Sequence, residues 1–324
     1  MLSLQRKQTM MRRPPRSLKR QQGVVIVIAL FVVGLVATMS YVMLARLARD
    51  TERTAYITRN TQAALYAQGS IVWAMDQLRN DWLKQKPNRV VDEIPIKSPV
   101  NEVDGYKISS TIYDMQARFN INNLNGPDLQ ADIKRLLLTV DRSLPPEQIN
   151  DLVLAITDWI TPIETQTNYD RYYLALPTPY RSAHRYPMVS VAELQLVKGM
   201  TPARFNALRP YITALPETTP INIQTAPADV LMTLNPAMPL EAARELEVLR
   251  SKAPFVKVDQ FMQTKIIKQY PVKAEKITTT SKYFLVETTV SIEHQRLLLY
   301  TLLLRKQNEG KATMRILWQS KGWW

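Results

Sequence analysis

Few residues in this chain could do chemistry. There is no Cys among the 324 residues, which removes thiol nucleophiles, disulfides and thiolate metal sites. Only His184 and His294 are present, too few for a His-rich zinc cluster. Asp158 and Glu164 are spaced so that they could pair as general acid and base, but carboxylates in a loop are more often solvated or bound to a cation. No Gly-rich nucleotide loop and no defensible Ser/His/Asp arrangement is present. The remaining reactive position is the Gly23–Val24 peptide bond, which lies where a basic segment meets an apolar one.

That border defines the first element. From Val24 to Ala45 no residue is charged, and Arg46 is the first charge after the run. At ~1.5 Å per helical residue the run spans roughly the ~30 Å hydrocarbon core of a bilayer. Arg6, Lys7, Arg12, Arg13, Arg16, Lys19 and Arg20 precede it with no acid among them. The positive flank holds the short N-terminal end in the cytoplasm and sends the rest across. Half of the formal net charge of +14 lies in this leader, so the basicity is a topology signal more than a nucleic-acid signal. A secretory signal peptide would have a shorter apolar core and a small-x-small cleavage site. A basic leader ending in Gly before a long apolar helix resembles the type IV prepilin signal, which a membrane peptidase cuts after the Gly while the helix stays attached. A plain membrane anchor is the competing reading.

Helical character continues over 46–86. Ala64, Gln68, Ile71, Met75, Leu78 and Trp82 recur every three or four residues and define one face, suited to packing against a sheet. Pro87 ends the element, and a polar loop runs from Asn88 to Gly105. Tyr106–Tyr113 alternates as a half-buried strand. The Asn cluster at 120–123 signals turns and bonds from side chain to backbone. From Asp128 to Leu215 the pattern is that of short packed helices, with Thr201 as a cap and Pro202 in a first turn. Ile221–Thr225 reads as a short strand, and 240–250 as a helix with Glu241, Arg244, Glu245 and Glu247 facing water. Tyr283–Ile292 and Leu297–Leu304 form a β-hairpin through Glu293–Arg296. The tail from Arg305, ending in Trp323-Trp324, reads as a disordered basic end, or one whose Trp residues touch lipid.

Residues 190–215 and 221–260 have the flavour of helix-hairpin-helix units, which in a basic chain suggests a membrane-anchored DNA-binding protein. Such hairpins hold phosphate with backbone N–H groups beside small glycines. Here the first turn has only Gly199, followed by Met200, and Asn235–Pro239 has no glycine and two prolines that donate nothing. The phosphate cradle is missing where it should be best, so no nucleic-acid partner is expected.

The order of parts is similar to that of the K-type minor pseudopilins of bacterial type II secretion systems, the GspK family. The resemblance rests on Arg118-Phe119-Asn120-Ile121-Asn122-Asn123-Leu124, the Asp158-Trp159 pair, Tyr169-Asp170-Arg171-Tyr172-Tyr173, the stretch Val189–Pro202, and Ile221-Asn222-Ile223-Gln224-Thr225-Ala226-Pro227. It covers about residues 12–305. It implies an α+β fold: a pilin-like long N-terminal helix packed on an antiparallel sheet, with an inserted all-helical domain of the helix-hairpin-helix or SAM-like kind. The expected domains are a leader at 1–23, removed by cleavage between Gly23 and Val24, and a transmembrane part at 24–45. The helix continuation and first strand occupy 46–118, the inserted helical domain 119–218, the second pilin-like part 219–305, and the basic tail 306–324.

The resemblance also implies a non-enzymatic role at the pseudopilus tip, anchored by a single pass in the inner membrane with the bulk periplasmic. The implied partners are the I-type and J-type minor pseudopilins, the major pseudopilin, the prepilin peptidase and the inner-membrane assembly platform. Ile28, fifth after the cut, replaces the Glu of most pilins, a departure known for K-type members. The family's calcium site would fall in the loop after Asp158-Trp159, on Asp158, Glu164 and Asp170. Thr161 and Pro162 stand where the family repeats acids, and the alternative is that Asp158 and Asp170 cap helices or bond to the loop backbone.

Overall fold

The computed structural model describes residues 22–83, 95–124, 127–141, 144–161, 167–180, 186–308 and 311–322. The leader through residue 21, Pro87, Glu164 and the terminal Trp323-Trp324 lie outside the described residues. The chain divides into two compact units, 1–61 and 62–324.

In the first unit the described residues belong to α1 (Gln22–Leu83), whose apolar N-terminal part exposes Val24, Ile28, Phe31, Met39 and Leu44. Among the described residues it is the one helix long and apolar enough to cross a membrane. Apolar side chains on all faces of a helix are stable in lipid and costly in water.

The second unit starts where α1 turns a buried stripe inward. Ala63, Ala67, Ile71, Ala74 and Leu78 are buried against the sheet, with Gln68 exposed beside them. The stripe therefore lies one residue N-terminal of the expected face at its start, and Trp82 lies beyond the residues whose side chains are described. The small alanines let the helix backbone approach the strands, while Gln68 stays hydrated. The sheet partners are β3 (Tyr106–Asp114), β8 (Tyr283–Ile292), β9 (Gln295–Asn308) and β10 (Lys311–Lys321), in that order and antiparallel throughout. Two short strands, β1 (Ile96–Lys97) and β2 (Asn101–Val103), pair with the outer side of β3 in the stretch expected to be a loop. Asp104 and Gly105 both have positive φ, so the β2–β3 turn takes the hairpin geometry that matches strand twist. Ile112, Phe284, Val286, Leu299 and Leu303 form the core under α1.

The expected tail is instead a strand. β10 pairs with β9 from Lys311↔Asn308 to Lys321↔Leu299, with an irregularity between Ile316 and Trp318. Ala312 is buried and Met314, Leu317 and Trp318 are half-buried on β10, while Thr313 and Ile316, β-branched residues suited to a strand, are exposed.

Between β3 and β8 lies the helical part: β4 (Phe119–Asn120), α2 (Pro127–Val140), α3 (Pro146–Ile160), α4 (Asn168–Leu174), α5 (Pro202–Leu208), β5 (Ile212–Thr213), β6 (Ile221–Asn222), α6 (Ala228–Leu231), α7 (Leu240–Lys252), α8 (Val258–Met262), α9 (Lys265–Gln269) and β7 (Ile277–Thr278). One hydrophobic cluster joins residues from Met115 to Ile277 and reaches Leu285, Leu302 and Leu304 on the far face of the sheet. Helices α6–α9 thus share a core with α2–α5, and the helical region extends well past 218 before the sheet resumes at β8. Glu247 is half-buried rather than facing water: its Oε1 accepts from the Ala228 N–H at 2.8 Å, and Arg250 donates to Ile223 O and Ala226 O behind it.

Candidate functional site

A polar spine leads from the end of β3 into the helical region. Asp114, the last residue of β3, is buried. Its Oδ2 accepts from Thr225 Oγ1 at 2.5 Å, Ser281 Oγ at 2.7 Å and Asn222 Nδ2 at 2.9 Å, and its Oδ1 from the Gln116 N–H at 2.9 Å. Burial pushes the Asp114 carboxyl up, and these four hydrogen bonds pull it back. Two residues on, Gln116 donates to Pro220 O and accepts from the Lys282 N–H, tying both chain crossings together. Burial also lowers Arg118, to about 10.

The Asn cluster continues the spine. Asn120 Nδ2 reaches Glu217 O at 2.9 Å, and its Oδ1 accepts from the Leu215 N–H at 3.0 Å. Asn122 donates to Met188 O and Leu215 O and accepts from the Met188 N–H. Asn123 donates to Thr219 O and accepts from the Thr219 N–H. A carboxamide carries both a donor and an acceptor, so each Asn pairs with a neighbouring backbone as a strand would. The two short parallel pairings, β4–β5 at Phe119↔Ile212 and β6–β7 at Ile221↔Ile277, lie along the same segments.

The second cluster surrounds Trp159. Trp159 packs edge-on to Tyr173 with ring centroids 5.4 Å apart, and Tyr173 stacks on Tyr180 at 5.3 Å. Trp159 Nε1 donates to Glu193 Oε2 at 3.3 Å, while Glu193 Oε1 accepts from the Val189 and Ser190 N–H groups to cap the next helical turn. The Lys198 N–H donates to Tyr173 Oη, and burial pushes the Tyr173 phenol up to about 12. Lys198 Nζ lies 3.1 Å from Asp151 Oδ2 and over the rings of Tyr169 and Tyr172. The Tyr169 hydroxyl, first, and Lys198 hold the Asp151 carboxyl below the usual carboxylate range.

Asp158 and Asp170 meet at Thr167. Asp158 Oδ2 accepts from Thr167 Oγ1 at 3.2 Å, and Asp170 Oδ2 accepts from the Thr167 N–H at 3.0 Å in a reciprocal cap of α4. Two carboxylates and a hydroxyl are hard-cation ligands, but they fall short of the six to eight oxygens calcium takes. Among the described residues no group of three acidic or His side chains could hold a metal. Glu164, the third expected ligand, lies outside the described residues.

Gly23 lies in the first turn of α1, where an added Cβ would meet nothing within 4 Å. Among the described residues, packing does not require glycine there. Val24 and Ile28 are exposed on the same helix. In the helix-hairpin-helix candidates, Gly199 has φ +83, and the carbonyls of Asn235, Pro236 and Met238 accept from the Arg135 guanidinium, which holds that turn against α2.

Sequence reasoning missed Asp114, which reads as an ordinary strand end, together with its partner Ser281. The signal that could have found it is the Ile221–Pro227 motif, whose Asn222 and Thr225 both bond to Asp114.

A long N-terminal apolar helix, an antiparallel sheet packed on its C-terminal half and a helical insertion sewn into that sheet define a pilin-like subunit with a helical cap. Residues 117–217 match the family model described as type II secretion system (T2SS), protein K. The chain is 28% identical over 313 residues to type II secretion system protein K of Klebsiella pneumoniae, covering 90% of this chain and 94% of the relative. It is 29% identical over 310 residues to protein K of Pseudomonas aeruginosa, with 90% of each chain covered. Its fold superposes on a chain in the crystal structure of the GspK-GspI-GspJ complex from enterotoxigenic Escherichia coli with TM-score 0.69 and 21% identity, covering 83% of this chain and 99% of that one. In sequence over most of its length, and in fold, the chain is similar to type II secretion system protein K.

Proposed function

We propose that this chain is the minor pseudopilin at the tip of the type II secretion pseudopilus, where it starts or caps the fibre that drives export of folded proteins. The observation that carries the reading is that the segments shared with the family contact one another. Asp114 and the 118–124 segment hold the 215–225 crossing, and Trp159 with the 169–173 tyrosines holds the 189–198 stretch. They fix a large helical region on the sheet. Its role is mechanical, without catalysis.

In this reading the leader is cut after Gly23 and the protein stays in the inner membrane by 24–45, with its N-terminus cytoplasmic and its bulk periplasmic. Among the described residues nothing packs against position 23, which agrees with a processing role for its glycine. The partners are the I-type and J-type minor pseudopilins, as in the complex named for the structural relative, together with the major pseudopilin, prepilin peptidase and assembly platform. An ionised Glu in place of Ile28 would need a neighbour's N-terminal ammonium to offset its cost in lipid, and a subunit with none above it has no such partner. Calcium belongs to this reading as an ion held by the carboxylates of Asp158 and Asp170, with Glu164 as the third.

The test is mass spectrometry of the mature chain together with exoprotein secretion by cells carrying Gly23→Leu. Mature protein beginning at Val24, with full-length protein and lost secretion in the variant, supports the role. Normal secretion by the unprocessed variant overturns it.

A further inference from the structure

A cavity of about 480 Å³ opens beside the spine, within the range of small-ligand sites. Phe119, Leu129, Pro220, Ile221 and Leu234 form apolar walls. Set into its lining is the ion pair of Lys276 Nζ with Asp132 Oδ2, 2.6 Å apart, with the two side chains 16% and 6% exposed. An ammonium has three donors, and one of those on Lys276 is directed at Asp132.

We propose that this cavity binds a small uncharged molecule with an apolar body and one carbonyl acceptor. The apolar walls receive the body, and Lys276 donates to the carbonyl. The lining carries two cations, Lys273 and Lys276, against two anions, Asp132 and Glu275, so an anionic ligand would bring an uncompensated charge beside the buried Asp132–Lys276 pair, which is costly. A hydrocarbon would fill the walls and leave the ammonium without its second partner. The order of affinity is therefore amide above hydrocarbon and above carboxylate.

The cavity is floored by Ile221 of β6, which pairs with β7, and Ile223 N–H donates to Thr278 O at 2.9 Å next to it. Amide exchange across 221–223 and 276–278 therefore reports occupancy. The experiment uses the full chain in lipid nanodiscs, with hydrogen exchange read by mass spectrometry. The probes are 4-methylbenzamide, toluene and 4-methylbenzoate at equal millimolar concentration. The expected result is several-fold slower exchange at these amides with the benzamide, a smaller effect with toluene and none with the benzoate. Leu129→Trp, which fills the cavity from α2, should abolish the effect. The paired change Asp132→Leu with Lys276→Met, which leaves no lone buried charge, should erase the preference for amide over toluene. No slowing with the benzamide, equal slowing in Leu129→Trp, or an amide preference that survives the paired change would each overturn the assignment.

Discussion

Replacing Asp114 tests how much the spine contributes to the stability of the junction between the helical region and the sheet. Asp114→Ala removes the acceptor of four hydrogen bonds at once. The Thr225 and Ser281 hydroxyls can turn to other acceptors. The Gln116 N–H and Asn222 Nδ2–H are fixed in direction and remain buried. A buried donor without a partner costs about 1–3 kcal/mol, so these two alone give roughly 2–6 kcal/mol, before any cavity left by the carboxyl. For a folded unit of this size each kcal/mol moves Tm by about 2–4 °C, so the expected fall is on the order of 10 °C. Asp114→Asn keeps the volume but, with its oxygen toward the three donors on Oδ2, turns an NH2 toward the Gln116 N–H, another donor, at a cost of about 1–3 kcal/mol. The assay is thermal unfolding of the full chain in nanodiscs, combined with hydrogen exchange resolved by segment. The pH dependence supplies an independent sign. Burial raises the folded carboxyl above its unfolded value, so the native state holds the proton to higher pH. The contribution of Asp114 to stability is then full below the unfolded carboxylate range and is lost as pH rises through the folded pKa. Wild type minus Asp114→Asn should show that slope. A Tm change under about 2 °C for Asp114→Ala, exchange that speeds in β9–β10 as much as in 215–225, or a slope of opposite sign would refute the reasoning.

Further expectations follow from single contacts. Gly199→Ala forces a Cβ into positive φ while meeting Leu152 only at an ordinary 3.7 Å, so it should cost about 1–2 kcal/mol from backbone strain alone, read by chemical denaturation. Tyr169→Phe removes the largest influence lowering Asp151, whose pKa should rise toward the usual range in an NMR titration, with a stability loss of no more than about 1 kcal/mol because the pair is half-exposed. Arg305→Met should destabilise by several kcal/mol, since the buried guanidinium donates to Ser281 O at 2.8 Å and lies 4.7 Å over Phe284; thermal unfolding measures it. Calorimetric titration with calcium should give heat in wild type and none in the paired Asp158→Asn, Asp170→Asn variant; no heat from wild type at millimolar calcium would remove the ion from the reading.

Local patterns told most about the fold. The unbroken apolar run, the alternation of Tyr283–Ile292 and the Thr201-Pro202 helix start each report a short-range preference, and the structure places α1, β8 and α5 on those residues. The end of the chain was misread because Lys311, Arg315 and Lys321 look like a solvated tail, whereas pairing with β9 supplies the order. The helix face was displaced because Ala63, Ala67 and Ala74 carry little hydrophobic signal, yet small size is what close helix–sheet packing requires. The spine was legible only in part. Adjacent asparagines announce bonding to backbone but not which backbone, and besides their local bonds Asn120, Asn122 and Asn123 reach partners 66 to 99 residues away. Asp114 gives no local sign, because its role depends on Thr225 and Ser281 arriving from separate crossings.

The polar character of this junction bears on how such a cap could work. Apolar surfaces hold elements together with little regard for register, since one well-packed arrangement differs from another by small amounts. A carboxylate with four donors and three carboxamides paired to named backbone groups admit one arrangement, because any slip leaves several buried groups without partners. The sheet and helical region already share an apolar cluster large enough to keep them joined. The spine therefore adds orientation more than adhesion. The proposed role, presenting the helical region to neighbours at a fixed angle, would need that property. On this argument Asn122→Leu, which keeps the branched shape but breaks the bonds to Met188 and Leu215, should leave the protein folded while weakening its co-purification with the proposed I-type and J-type partners. Unchanged co-purification from a variant whose exchange is faster at 186–190 and 213–217 would show that cap orientation is not what assembly reads.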